Sequence, residues 1–343
     1  MKPTYHVETA VLLNANAKQV TPRVRHALSS VVAREHLFFS RDAEEANEIA
    51  DTVVSRRYST VFTGGGDGTF VSWVNRILDA SLRHRTTAPR FGVLALGTGN
   101  AVAEVVGTRT RGHMDHLKAY LDGRAQDVTR LPLLTCEGRR TPFAGVGLDA
   151  AMLNDYNWVR TRVGPHTPKS LATGMPGYGV AAALRTVPRY LFQRRPSYCE
   201  IVNVGRPAYR LDGAGRPVGP PIRHGELLYA GPCMMAAAGT VPYYGFGLRA
   251  FPFASRRPGS MQLRIITQIG VPTVLWNLPS IWAGDFSHPS FLDFHAERVT
   301  ATFERPMPLQ IGGDAEGWRE SVAFGMAEEA VELIDFRRSR IIH

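Results

Sequence analysis

The sequence has no apolar run approaching the roughly 20 residues that span a bilayer. Its first residues, Met1 to Glu8, are polar and carry no apolar signal region. Any membrane contact is therefore expected to be peripheral. Cysteine is scarce: Cys136, Cys199 and Cys233 are widely spaced, odd in number and without a C-x-x-C pair. That argues against a disulfide framework or a zinc site and fits a reducing cytoplasm. No internal repeat and no low-complexity tract is present. Glycine-rich sequence does occur, but it lacks the Lys-Ser/Thr of a Walker A loop and does not fit G-x-G-x-x-G. Acidic residues are missing altogether between Asp155 and Glu200, where Arg160, Arg162, Lys169, Arg185, Arg189, Arg194 and Arg195 fall.

What is present is enough for a sizeable core. With 343 residues, 44% of them hydrophobic, the chain is expected to form about two domains. A formal net charge of +10 favours anionic partners, whether nucleotides, acidic lipid headgroups or nucleic acid. Charge alone does not choose among them.

The most informative stretch is Ser59 to Thr69. A β-branched strand runs into Gly64, Gly65, Gly66, Asp67, Gly68 and Thr69, after which Phe70, Trp73, Val74, Ile77 and Leu78 recur at helical spacing. The glycines thus lie where a strand ends and a helix begins, a place where free N–H groups and the helix dipole favour an anion. Asp67 would repel a bare phosphate, so the run points to phosphate together with a cation or a reacting hydroxyl. Around it, Thr9 to Leu13 reads as a buried strand ending at Asn14, and Thr21-Pro22 opens a helix to about Glu35. His36 to Phe39 is a second strand, and Asp42 to Glu45 has capping-box spacing before another helix. Arg90 to Leu96 is a further strand, followed by Gly97, Thr98, Gly99 and Asn100 and a short helix from Ala101 to Val106. This alternation predicts a parallel sheet covered on both faces, with both glycine turns facing one crevice at the strands' carboxyl ends.

After Asp127 short apolar runs punctuated by Gly and Pro predict strands joined by turns, so a domain boundary is expected near residue 130. Phe143 to Ala150 reads as one strand carrying Asp149, either a substrate contact or a turn carboxylate. The basic run after Asp155, interleaved with Trp158, Tyr178, Tyr190, Leu191 and Phe192, suits either an anionic membrane surface or a solvated face. Tyr229 to Gly239 and Met261 to Ile269 read as strands. Between them Tyr243 to Gly247 and Phe251 to Phe253 suit a hydrophobic pocket or a β core. Near the end, Asp314 and Glu316 lie two residues apart in a glycine-bounded turn, and in extended backbone they point the same way.

Gly65 to Thr69, Gly97 to Asn100, Gly147-Leu148-Asp149-Ala150 and Asp314-Ala315-Glu316 together resemble, in order and spacing, the diacylglycerol kinase and sphingosine kinase catalytic family. The resemblance implies a three-layer α/β nucleotide domain over residues 1–130, joined by about 325–343, and a C-terminal β-sandwich lipid domain over 131–324, an NAD kinase/diacylglycerol kinase-like fold. It implies ATP and Mg²⁺ as cofactors and a lipid alcohol, of the diacylglycerol or sphingoid type, as phosphoryl acceptor. Carried over residue by residue, Asn14, Gly64 to Thr69 and Gly97 to Asn100 hold the nucleotide, with Asp67 meeting the metal through Mg-ATP. Asp67, Asp314 and Glu316 are the catalytic candidates, with Asp67 and Asp314 both open as base, and Asp149 contacts substrate.

The family's opening Asn-Pro loop is reduced here to Asn14-Ala15-Asn16-Ala17-Lys18, and the usual Asn-Glu after the first motif is Val71-Ser72. Arg257 to Gln262, where the bacterial enzymes carry structural-metal carboxylates, has none. A silent nucleotide- or lipid-binding protein and an NAD kinase-like enzyme are the alternatives. The expected setting is cytoplasmic, at most at the inner membrane face. Nucleic acid is the least expected anionic partner, and a homodimer is compatible with the sequence.

Overall fold

The computed structural model describes residues 9–15, 17, 19–97, 99–108, 112–162 and 196–338; the side chains of His113 and Arg160 are outside that description. Thr98 and most of the basic run, from Lys169 through Arg195, lie outside the described residues. The chain divides into two compact units, Met1–Leu131 with Glu329–His343, and Pro132–Glu328.

The first unit is built on a parallel sheet of β1 (Thr9–Asn14), β2 (Leu37–Ser40), β3 (Thr60–Gly65) and β4 (Arg90–Ala95). Its order is β2-β1-β3-β4, and the end of β16 (Asp314–Ile334) joins β4 through Leu333 opposite Phe91. The strands are apolar on both sides because both faces are covered. On one face Val11, Leu13, Phe62 and Leu94 form a cluster with Leu28 of α1 (Pro22–Ser29) and Leu117 of α5 (His113–Leu121). On the other, Phe70 of α3 (Asp67–Arg83) meets Phe91 with ring centroids 6.1 Å apart, and α3 also packs against α2 (Ala43–Ser55). The short helix α4 (Ala101–Val105) follows β4.

α1 stops at Ser29, short of the expected Glu35, and a separate 3₁₀ turn occupies Arg34–His36. The Ser29 and Ser30 hydroxyls donate to the carbonyls of Arg25, His26 and Ala27, competing with the helix's own amides where β-branched residues follow. At α2, Asp42 accepts from the Glu45 N–H at 2.9 Å, while Glu45 turns to the Arg41 amide at 2.7 Å and so leaves the capping box half closed.

The second unit is antiparallel. It comprises most of β5 (Val128–Cys136), β6 (Arg139–Thr141), β7 (Phe143–Gly147), α6 (Leu148–Arg162), β8 (Ser197–Asn203), β9 (Ala208–Leu211), β10 (Pro217–Ile222), β11 (Leu227–Cys233), β12 (Met235–Gly239) and β13 (Met261–Ile266). The helices α7 (Val271–Trp276) and α8 (Leu278–Ala283), β14 (Phe291–Ala296), β15 (Arg298–Ile311) and β16 complete it. One run of strands is β10-β9-β14-β13-β12-β7-β15; β11-β8-β15 is another. β15 serves both: Val299 to Phe303 pair with β8 and Leu309 to Ile311 with β7, on either side of a register shift between Thr302 and Met307. The core between them includes Leu263, Phe294, Leu309, Ile311 and Phe324.

Two expected strands are interrupted. Phe143 to Ala150 stops at Gly147, whose φ of +103° and closeness to the Met234 carbonyl, 2.2 Å from where a Cβ would sit, admit only glycine. The Leu148 amide bonds that same carbonyl at 2.9 Å, and the chain turns into α6. Asp149 therefore lies in the first turn of a helix. Likewise Tyr229 to Gly239 divides at Met234, with β11 pairing to β8 and β12 to β7 and β13.

The three cysteines are buried and unpaired, with burial pushing the Cys136 thiol up to about 12. Among the described residues no helix is long and apolar enough to cross a membrane.

Candidate functional site

In the parallel unit, the register Leu13–Gly64 and Gly64–Leu94 brings the carboxyl ends of β1, β3 and β4 side by side. Asn14, Gly64 to Thr69, Gly97, Gly99 and Asn100 accordingly share one edge of the sheet. Gly66 begins α3, and no side chain caps that helix. Its first-turn amides are thus presented to an anion, reinforced by the helix dipole. The two glycine turns touch through backbone: a Cβ on Gly97 would lie 2.1 Å from Gly66 Cα. Gly65 likewise has Thr69 against it, 2.5 Å from a hypothetical Cβ.

Asp67 holds the turns together. Its carboxylate accepts from the Ala101 amide at 2.9 Å and the Val102 amide at 3.0 Å, capping α4 from a distance. Asn100 adopts a left-handed conformation, φ +52°, in which its side chain exchanges hydrogen bonds with the backbone of Gly97 at 3.1 and 2.9 Å. Gln19, a residue the sequence reading passed over, donates to the Gly97 carbonyl at 3.1 Å. In the Asn14 turn, Ala17 N–H donates to the Asn14 carbonyl at 3.0 Å and Arg25 to the Ala15 carbonyl at 3.3 Å.

Because the Gly66–Gly97 contact is between main chains, neither side can give way as a rotamer would. Gly97→Ala is expected to lower the melting temperature, since the added methyl must part the turns. A thermal melt checks this; an unchanged midpoint would contradict it.

In the antiparallel unit, Asp149 is deeply enclosed. Tyr244 donates its hydroxyl proton to Asp149 Oδ2, and Gln310 Nε2 reaches both that oxygen, at 3.3 Å, and the Tyr244 hydroxyl. Asp149 Oδ1 is buried, with no hydrogen-bond partner found for it among the described residues. Gly145 makes the space, for a Cβ there would lie 2.3 Å from Asp149 Oδ2. Burial pushes the carboxyl above its ordinary range, against the opposing pull of Tyr244 and Gln310. A cavity of about 280 Å³ is lined by Gly147 and Ala151, which flank Asp149 in sequence, and by Cys233, Met234, Arg305, Met307 and Trp318 among others; the Asp149 side chain is not part of its lining.

A carboxyl whose folded pKa is raised contributes its full stability below the unfolded pKa and loses it as pH rises through the folded value. Asp149→Asn is therefore expected to raise the melting temperature at neutral pH. A variant no more stable than wild type at pH 7 would contradict this.

Asp314 and Glu316 lie at the start of β16, just after the turn in which Gly312 and Gly313 both have positive φ, 59° and 89°. Both carboxylates face Arg139 of β6: Glu316 is paired with its guanidinium, and Asp314 is 3.9 Å from it. Desolvation raises the Asp314 pKa, Arg139 opposes that, and Glu316 adds to it. Arg139, Tyr244 and Gln310 had no signal of their own in the sequence, though Tyr244 lies within the aromatic segment. Among the described residues no group of three or more His, Cys, Asp or Glu gathers as a metal cage.

Residues 10–131 match the family model of the diacylglycerol kinase catalytic domain. No curated protein matches the chain in sequence. Among solved structures, a diacylglycerol kinase from Bacillus anthracis str. Sterne is similar at 12% identity and a TM-score of 0.60, covering 97% of this chain and 98% of that one. Two structures of a candidate diacylglycerol kinase from the same organism reach TM-scores of 0.63 at 13% identity, covering 96% of this chain and 97% of theirs. The chain thus carries a diacylglycerol kinase catalytic domain match over residues 10–131 and shares the fold of these bacterial structures over nearly its whole length.

Proposed function

We propose that the protein transfers the γ-phosphoryl group of ATP to the hydroxyl of a lipid alcohol. The observation that carries this is the uncapped start of α3 at the joined ends of β1, β3 and β4, with two glycine turns in backbone contact and locked by Asp67. Such a cradle suits the phosphates of a nucleotide, held by amides that a Cβ would displace. In this reading Asp67 is a positioning residue, and Asn14, Gly64 to Thr69 and Gly97 to Asn100 surround the nucleotide. Mg²⁺ bound with the nucleotide would supply neutralisation of phosphate charge, and Asp67 is the carboxylate within the cradle that would face it.

The acceptor reading rests on the mostly apolar cavity lined by Gly147 and Ala151, the residues flanking Asp149 in sequence, which suits a lipid better than a dinucleotide. Asp149 contacts the acceptor's polar end, and Asp314 takes the hydroxyl proton, with Glu316 and Arg139 fixing its charge. Incubation with γ-labelled ATP, Mg²⁺ and a panel including diacylglycerol and long-chain bases is expected to label at least one lipid. ATP binding without transfer to any acceptor would favour a silent binding protein. The engagement of both Asp67 oxygens by α4 amides is the observation on that reading's side.

A further inference from the structure

Helices α7 and α8, between β13 and β14, contain no buried residue. Leu275, Trp276 and Leu278 are exposed, Trp276 by 89%. From Ile265 to Gly284 the chain carries no charge at all. A cluster of this kind marks an interaction surface, and tryptophan is the residue that best tolerates a boundary between water and hydrocarbon.

Its place in the fold is specific. Met235 pairs with Gly147 at the end of β7 and with Ile266 at the end of β13, so those two strands finish level with each other. Asp149 emerges from the first and α7 from the second, at the same end of the sheet. The Ile269 amide donates to Met234 Sδ at 3.4 Å, and Met234 lines the same cavity as Gly147. From the other side, Trp282 of α8 donates through Nε1 to the Phe246 carbonyl at 3.1 Å, in the same loop as Tyr244. The exposed Arg249 donates its amide to the Trp282 carbonyl at 3.0 Å, placing a cation beside α8, with the exposed Asp285 following that helix.

We propose that α7 and α8 dock on a phospholipid bilayer, with Leu275, Trp276 and Leu278 entering at the headgroup boundary, so that the cavity lined by Met234 and Gly147 takes up a lipid alcohol from that surface. This rests on the lipid-kinase reading. A bilayer fits better than a protein surface because these exposed apolar side chains on short helices fall far below the about 20–30 residues a side of a stable interface. Shallow insertion needs only a few apolar side chains, and the +10 chain is drawn to anionic lipid.

The test compares the full chain with L275S/W276S/L278S in sedimentation with phosphatidylcholine vesicles, with and without phosphatidylglycerol. Wild type is expected to pellet, more so with the anionic lipid, and the variant to bind at least about tenfold more weakly with unchanged melting temperature and ATP affinity. Brominated lipid is expected to quench wild-type fluorescence more than that of Trp276→Phe. Equal pelleting of variant and wild type, no pelleting of wild type, or a wild-type dimer that the variant dissociates would overturn the proposal. Should no acceptor be phosphorylated while vesicle binding still depends on these side chains, the kinase reading falls and the docking stands. Transfer to a short-chain acceptor in solution without vesicle binding has the opposite meaning.

Discussion

Asp314→Asn is expected to lower kcat by about 10²–10⁴-fold, the range a positioned general base supplies, with ATP affinity unchanged. The change is nearly isosteric and lies outside the positive-φ turn at Gly312 and Gly313, so an unchanged melting temperature should accompany the lost turnover. Asp67→Asn should also impair the protein, but differently. An amide NH₂ there meets the N–H of Ala101 or Val102, so ATP affinity falls along with turnover. The pH profile separates the roles further. A base must be ionised, and desolvation together with Glu316 raises the Asp314 pKa while Arg139 lowers it. Activity is therefore lost as pH falls through a value above the ordinary carboxylate range. Arg139→Gln removes the lowering influence and should move the acid limb of kcat/KM to higher pH. An acid limb that stays in place would show that Asp314 is not the group being titrated.

The largest loss of stability is expected from Asp293→Asn. Asp293 and Arg264 are 9% and 7% exposed and form a two-pronged pair, Nε to Oδ1 and NH2 to Oδ2, both at 2.8 Å. Gln262 Nε2 donates to Asp293 Oδ1 at 2.7 Å while its Oε1 accepts the Phe253 amide at 2.7 Å, tying the pair to the aromatic segment. Removing the carboxylate charge leaves a guanidinium buried without its counter-ion, at a cost of about 3–5 kcal/mol. Replacing both partners, Arg264→Met with Asp293→Leu, should recover much of the loss, because no charge then remains to desolvate. Urea unfolding of the single and double variants measures both. A double variant as unstable as the single one would assign the cost to packing rather than to the orphaned charge.

That network also illustrates what local sequence reading misses. Arg257 to Gln262 has no carboxylate, and nothing in its spacing announces a buried cation two residues further on, paired to a residue on the next strand. Asp149 is similar: its strand-like surroundings, Phe143 to Val146, read correctly only as far as Gly147. The break there is set by the Met234 carbonyl, which is distant in sequence. In contrast, Asp42 before α2, Pro22 at the start of α1 and the glycines before α3 act through their immediate neighbours, and each appears where its local chemistry predicts.

By itself the sequence determined the alternation of strands and helices up to Leu131, the glycine turn between strand and helix at Gly64 to Thr69, and the same-side placement of Asp314 and Glu316. These depend on periodicity, backbone freedom and the two-residue repeat of a strand, which are properties of contiguous residues. Tertiary structure alone decided that Asp67 clasps α4, that Tyr244 and Gln310 enclose Asp149, and that Arg139 faces both late carboxylates. Each of these joins segments far apart in the chain, and the strength of a charge or hydrogen bond there depends on burial, which no local pattern encodes.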